Sequence, residues 1–197
     1  MRIRLWGHLG RYKRHDDMPV VKGDTLRLAR PFVLVIPGTV CVALLALLAL
    51  QHDASIETGI WIDRPPQTVW KVLSDTADYP RWNPEISRLD GELAEGKVIE
   101  FAEGSGPDAM VFHPTALVVR PERELRSKGA LWVPGLFDGE HRFQLEAAAN
   151  RTHFIQSERF TGILVGKLSE GALSDTAGLM KQMNAALKAR AEALNAQ

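Results

Sequence analysis

The sequence predicts an α+β domain, a run of about seven antiparallel strands closed by one long C-terminal helix, with a single membrane-spanning helix ahead of it. Three observations carry this reading. Leu173, Met180, Leu187 and Leu194 recur every seven residues in a stretch without proline, the pattern of an amphipathic helix. Between residues 86 and 163, strand-like segments follow one another at roughly ten-residue spacing, separated by glycine- and proline-containing turns. From Phe32 to Leu50, nineteen residues pass without a charge, a length that matches the hydrocarbon core of a bilayer.

Composition sets the bounds. The chain has 197 residues, enough for one ordinary domain and an extension. Lys+Arg and Asp+Glu are both 24, and without a basic excess no nucleic-acid partner is expected. The single cysteine, Cys41, excludes an internal disulfide framework and a cysteine-based metal site. His8, His15, His52, His113, His141 and His153 show no close ligand spacing, so neither a metal nor another cofactor is expected.

Residues 1–31 carry eight Lys/Arg against three Asp and have no sustained apolar period. They read as a cytoplasmic tail, or as a basic segment lying on the membrane with Leu5 and Trp6 touching lipid. Residues 32–50 read as a signal-anchor helix, with Pro37-Gly38 as a tolerated kink. A cleaved signal peptide is an alternative, although its apolar core would be long and its small-residue sites are indifferent. A buried helix of a soluble protein is another, although the run has no polar face. Lipoprotein processing is disfavoured because Val40, before Cys41, is large and the apolar run continues past it. The basic residues precede the span, and only Arg64 and Lys71 follow closely after it. This bias places the N-terminus in the cytoplasm and residues 51–197 on the outer side, a single-pass topology.

Residues 51–54 read as a short polar linker to a domain spanning 55–197. Ser55 to Ile62 alternates Ile56, Thr58, Ile60 and Ile62 against polar or small partners and Trp61, a strand signature. Asp63 stands before Arg64-Pro65-Pro66 as the expected N-cap of a short helix over 67–74, with Val69, Trp70 and Leu73 inward. A second short helix containing Tyr79 and Trp82 ends at the Asn83-Pro84 turn signal. Candidate strands then cover 86–93, 97–103, 109–119, 124–133, 140–148 and 152–163, joined as an antiparallel meander. The closing helix, about six turns and roughly 33 Å long, carries Met180, Met183 and Leu187 on its apolar stripe. It reads either as a plain core helix or as the wall of a cavity.

The order strand, two short helices, six strands, long helix resembles the helix-grip domain of the START-like SRPBCC superfamily, most nearly its polyketide-cyclase/dehydrase-like branch. The residues that carry the resemblance are Pro66, Val69, Trp70 and Leu73, the run Asp78-Tyr79-Pro80-Arg81-Trp82-Asn83-Pro84, and Gly91 with Gly96. Gly139-Glu140-His141, Glu158 with Phe160 and Gly162, and Met183-Asn184 complete it. The similarity covers roughly residues 55–195. It implies a curved antiparallel sheet gripping the C-terminal helix around a hydrophobic cavity, and a lipid or other hydrophobic small molecule as ligand. Ser127 departs from the pattern, standing where a large aromatic is expected, so the pocket shape is expected to differ.

The candidate pocket follows from these readings. Trp82 comes from the second short helix, Phe101, Phe112 and Phe143 from strands, Trp132 and Phe137 from the WVPGLFD loop, and Met180, Met183 and Leu187 from the closing helix. By strand parity His141, Gln156 and Glu158 face the same way as Phe143 and Phe154. A turn around Asn150-Arg151 sets Phe143 near Glu158 and His141 near Phe160, with His141 and Glu158 diagonal to each other. The pair reads as a buried hydrogen-bonded couple, as a polar anchor at one end of an apolar pocket, or as a general acid/base pair. The loop either covers the core or forms a lid or membrane contact. Three functions fit: a membrane-tethered carrier or sensor of a hydrophobic small molecule; a cyclase, dehydratase or isomerase using His141 and Glu158; and an interaction module whose cavity is filled.

Overall fold

A five-stranded antiparallel sheet, in the strand order 52–62, 151–162, 138–148, 124–130, 115–120, and a three-stranded one, in the order 86–90, 100–103, 110–112, make up the framework. The computed structural model describes Val40 and residues 51–131, 133–167 and 170–194. The elements below belong to one unit of the chain, residues 45–197. The expected tail and, apart from Val40, the expected membrane span over 32–50 lie outside the described residues. Among the described residues no helix is long and apolar enough to cross a membrane.

The large sheet comprises β1 (His52–Ile62), β5 (Thr115–Arg120), β6 (Glu124–Ala130), β7 (Asp138–Ala148) and β8 (Arg151–Gly162). The small sheet comprises β2 (Ile86–Asp90), β3 (Glu100–Glu103) and β4 (Met110–Phe112). Helices α1 (Pro66–Ser74) and α2 (Tyr79–Trp82) follow β1, with a 3₁₀ turn at Thr76–Asp78 between them, and α3 (Glu170–Ala193) closes the chain. Strand 1 begins at His52, so residues 52–54, expected as linker, pair with Phe160–Gly162 of β8. Polar side chains are no obstacle there, because β1 is an edge strand and His52 and Asp53 point into solvent.

Among the described residues eight strands stand where about seven were expected. The run expected over 109–119 divides at Pro114, which has no N–H for a ladder. Pro114 is buried and its carbonyl accepts from the Ile99 amide at 2.9 Å. The Ala116 amide donates to Lys97 O, and the Gly96 amide to Ala116 O, both at 2.8 Å. These bonds join the small sheet to the edge strand β5 of the large one. The expected Asp63 N-cap is also replaced. Pro65 occupies that position without a side-chain cap bond, and Asp63 instead pairs with Arg151 at 2.6 Å while its amide donates to Glu192 at 2.7 Å.

Helix α3 buries Met180, Met183, Asn184, Leu187 and Ala191, an i, i+3, i+4, i+7, i+11 stripe. Its C-terminal half meets Ile62, Val69, Leu73, Leu145 and Phe154, all 5 % exposed or less. Full burial of each large apolar side chain contributes about 1.5–3 kcal/mol. A second cluster joins Tyr79, Leu89, Ile99 and Met183. Asn184 Nδ2 donates to Thr58 Oγ1 at 2.9 Å, and Arg190 clamps Asp78 through Nε at 3.0 Å and Nη2 at 2.7 Å.

Because Asn184 and Thr58 are both buried, breaking their bond from one side strands the other group. Thr58→Val is expected to cost about 1–3 kcal/mol in urea unfolding, with Thr58→Val/Asn184→Leu recovering much of that loss. A double variant as unstable as the sum of the singles would contradict this account.

Candidate ligand-binding cleft

The β7–β8 hairpin sets the site. Its two-residue turn is Ala149–Asn150, with Ala148 opposite Arg151 and Ala149 at φ 53°. The expected turn was one residue later. The earlier turn moves the register by two, so the inward parity survives but the partners change. His141 stands directly opposite Glu158, not diagonal to it, and Phe143 stands opposite Gln156.

Cross-strand rows on the inner face grade from apolar to polar. The lowest holds Ile60, Phe154 and Leu145. The next holds Thr58, Gln156, Phe143 and Leu125, and the one above it Ile56, Glu158, His141 and Ser127. Above these, Gly139 lies opposite both Phe160 and Gly129. A Cβ at Gly139 would stand 2.7 Å from Glu158 Oε1, so glycine leaves the room that the carboxylate occupies. Ser127 adds space beside His141 where the resemblance implied an aromatic.

The polar groups form a chain. His141 Nδ1 contacts Glu158 Oε2, and its Nε2 lies 3.0 Å from Gln156 Nε2. In the neutral ring this arrangement assigns the proton to Nδ1, donating to Glu158, and leaves Nε2 to accept from the Gln156 amide. Gln156 Nε2 also reaches Met183 Sδ at 3.5 Å. Gln156 is 1 % exposed, and its Oε1 has no hydrogen-bond partner among the described residues. His141 and Glu158 keep 30 % and 15 % side-chain exposure.

Of the other expected pocket residues, Phe143 lies 4.7 Å from the His141 ring and 5.6 Å from Phe154. Phe101 stacks on Phe112 at 5.1 Å, Phe137 leans on Phe160 at 5.4 Å, and Trp82 lies 4.8 Å from Tyr79. Met180 and Met183 are buried, and Leu187 belongs to the packed core. Trp132 lies outside the described residues.

Two carboxylates escaped the sequence reading. Glu103 shares a strand face with Ile99 and Phe101, a parity already present in the expected 97–103 strand. Glu85 is aimed by Asn83, whose Oδ1 accepts from the Glu85 and Ile86 amides at 2.9 Å each. Burial raises the Glu85 carboxyl above its usual range and repulsion from Glu103 adds to it, with His141 opposing. Burial also raises Glu103, reinforced by Glu158 and again opposed by His141. Two carboxyls on the small-sheet side thus sit within electrostatic range of the His141–Glu158 pair. Among the described residues no group of acids, histidines or cysteines suits a metal ion.

A carboxyl raised in the folded state binds its proton more tightly there than in the unfolded chain. Stability is therefore expected to fall as pH rises from about 4.3, the unfolded glutamate value, through the raised folded values. Glu85→Gln/Glu103→Gln should flatten that slope and raise the melting midpoint at pH 7. An unchanged slope would show the two carboxyls to be fully solvated.

The family profile described as "Polyketide cyclase / dehydrase and lipid transport" matches residues 53–192. Among solved structures, Ara h 8.0201 superposes with a TM-score of 0.59 at 14% identity, covering 73% of this chain and 100% of its own. A START superfamily protein from Mycobacterium smegmatis gives 0.57 at 17% identity, covering 72% and 99%. The Zhui aromatase/cyclase from Streptomyces sp. R1128 gives 0.52 at 16% identity, covering 72% and 94%. No curated protein matches the chain by sequence. At such identities the structural likeness speaks for fold alone. The profile match spans most of the chain, and the sheet closed by α3 is the architecture that these neighbours share. The chain belongs to the polyketide cyclase / dehydrase and lipid transport family.

Proposed function

We propose that the protein binds a hydrophobic small molecule or lipid in the cleft between its sheets and α3, with His141, Gln156 and Glu158 as the polar anchor. One observation carries this reading. Phe101, Phe112, Phe143 and Phe160, on the inner surfaces around the polar row, are only half-buried, whereas Phe154, two residues from Gln156, is wholly buried. Aromatic side chains gain most from leaving water. A filled core would bury all five rings alike, so the contrast favours a cleft that admits a ligand over an interaction module with a packed interior. The family description and the aromatase/cyclase and START neighbours are consistent with a hydrophobic ligand.

A second reading, acid–base catalysis of the cyclase, dehydratase or isomerase sort, is favoured by one feature. The raised carboxyls of Glu85 and Glu103 face a histidine whose Nε2 accepts a hydrogen bond, a pairing of proton donor and acceptor that such chemistry uses. Full-length protein purified in mild detergent is expected to carry a lipophilic molecule detectable by mass spectrometry. Ser127→Trp, which fills the space beside His141, should reduce that load at least tenfold without lowering the melting midpoint. Absence of any lipophile from the wild type would refute the binding reading. Conversion of the captured molecule by the wild type but not by His141→Gln would establish the catalytic one.

The domain is further proposed to work beside a membrane, tethered by residues 32–50 with the N-terminus cytoplasmic and residues 51–197 on the outer side. With β1 starting at His52, the linker from Leu50 shortens to little more than one residue, and each extended residue adds only about 3.5 Å. The tether would hold the end of the domain where β1 begins. That end also carries the Leu131–Phe137 loop: Gln51 Nε2 lies 3.8 Å from the position of a Cβ on Gly135, and His52 pairs with Gly162. Val133 is 60 % exposed there and Leu131 36 %. These apolar side chains would meet the bilayer, and a lipid would enter past them. For the full chain in liposomes, Leu131→Asp with Val133→Asp is expected to slow uptake of a fluorescent fatty alcohol from the bilayer at least fivefold. Equal uptake rates would count against entry from the membrane side.

A further inference from the structure

At the end of the large sheet away from His52, a second cleft of about 650 Å³ opens between the start of α1, the β5–β6 turn and the last residues of β7. Its size suits a small molecule, and none of His141, Gln156 and Glu158 borders it. Unequal strand lengths create it. β6 begins at Glu124, opposite Gln144, whereas β7 runs on to Ala148. The turn adds one more bond, with the Leu145 amide donating to Arg123 O at 2.9 Å. Beyond that point β7 pairs with β8 alone, and Ala147 and Ala149, too small to fill the space, border the cleft.

Three arginines, Arg120, Arg123 and Arg142, and two acids, Glu122 and Glu124, line it. Glu124 is engaged within the protein. Its side chain is 12 % exposed and its Oε1 accepts from Arg142 Nε at 3.0 Å. Arg126 Nε lies 3.4 Å and Arg120 Nη1 3.9 Å from the same carboxylate. One carboxylate thus serves three guanidinium groups, of which only Arg126 has a second acid, Glu140 at 3.2 Å. Arg142 is held through Nε, and its terminal nitrogens have no partner among the described residues. Arg123 is exposed and its side chain has no partner among them either. Glu122 is likewise unpaired there, and is the one acid that competes with an incoming anion.

Guanidinium groups offer planar forks of N–H donors that match oxyanions. A phosphate monoester brings two charges and three terminal oxygens, one for each of Arg120, Arg123 and Arg142. A carboxylate brings one charge and two oxygens. Pro65, Pro66 and Pro121 give the cleft rigid apolar walls for the rest of such a molecule. We infer that this cleft binds the phosphate group of a small water-soluble phosphomonoester. The choice of a soluble ester over a phospholipid head group rests on the tethered arrangement proposed above, which turns this end of the domain away from the bilayer.

The test is calorimetric titration of the full chain in a nonionic detergent at about pH 7.5, where the ester is mostly a dianion. The probes are phenyl phosphate, benzoate, benzylamine and dihexanoyl phosphatidic acid. Phenyl phosphate is expected to bind about tenfold tighter than benzoate, and benzylamine not at all. Arg123→Gln should weaken phenyl phosphate about fivefold and Glu122→Gln should strengthen it. Arg159→Gln, an equal change in net charge at the pair with Asp53 on the other half of β8, should leave it unchanged. Arg123 is tied in place by its backbone alone, so its replacement keeps the fold. Absence of phenyl phosphate binding, benzoate or benzylamine binding as tightly, or equal losses in Arg123→Gln and Arg159→Gln would overturn the assignment. Phosphatidic acid binding tighter than phenyl phosphate, and weakened by Arg123→Gln, would overturn the soluble source in favour of a lipid head group.

Discussion

The register of the β7–β8 hairpin is the constraint on which the rest of the structure depends. Turning at Ala149–Asn150 sets Leu145 against Phe154, Phe143 against Gln156 and His141 against Glu158. A slip of one residue would turn every one of these side chains to the opposite face. The lowest row then finds Leu187 of α3 and Val69 and Leu73 of α1, and a dry core forms. The rows above it carry Gln156, His141 and Glu158 inward as a consequence of the same pairing. The domain cannot bury Phe154 without also presenting the histidine–carboxylate pair to its interior.

Packing therefore divides the inner face into two regimes. Below, α3 lies on β1 with Leu187 and Ala191 buried, and Asn184 donates to Thr58. Above, small residues make room: Ser127 beside His141, Gly139 beside Glu158, and Gly129 against Pro114. The aromatic rings bordering this region are accessible. The methionine at the boundary, Met183, belongs to the second apolar cluster and accepts a bond from Gln156. A thioether suits that position because it tolerates both a ring and an amide as neighbours.

The small sheet supplies the electrostatics. Pro114 breaks what would have been one long strand, and the chain ahead of it forms β4 against β3. Pairing with β2 and β4 fixes β3 so that Ile99 and Phe101 join the core cluster, with Glu103 opposite Ile86. The Asn83 side chain holds the Glu85 backbone from the other direction. Burial and repulsion from a neighbouring carboxylate raise the carboxyls of Glu85 and Glu103, and His141 opposes the rise.

The amino-acid sequence determined the elements that depend on local chemistry. Apolar periods located α3, the alternation in β1, β7 and β8, and the inward parity of His141, Gln156 and Glu158. Prolines placed α1 and α2, and the family resemblance rested on these same residues. Tertiary structure decided whatever required knowing which segments meet. It set the hairpin partners, since alanine at a left-handed turn position leaves no local signal. It drew the start of β1 back to His52, since an edge strand is extended by its neighbour's backbone and not by its own side chains. It moved Asp63 from the expected helix cap to Arg151, far along the chain. The approach of Glu85 to Glu103, and of Glu103 to Glu158, was decided there too. Burial and repulsion between charges are properties of distances in space, and residues 85, 103 and 158 share no local pattern from which those distances follow.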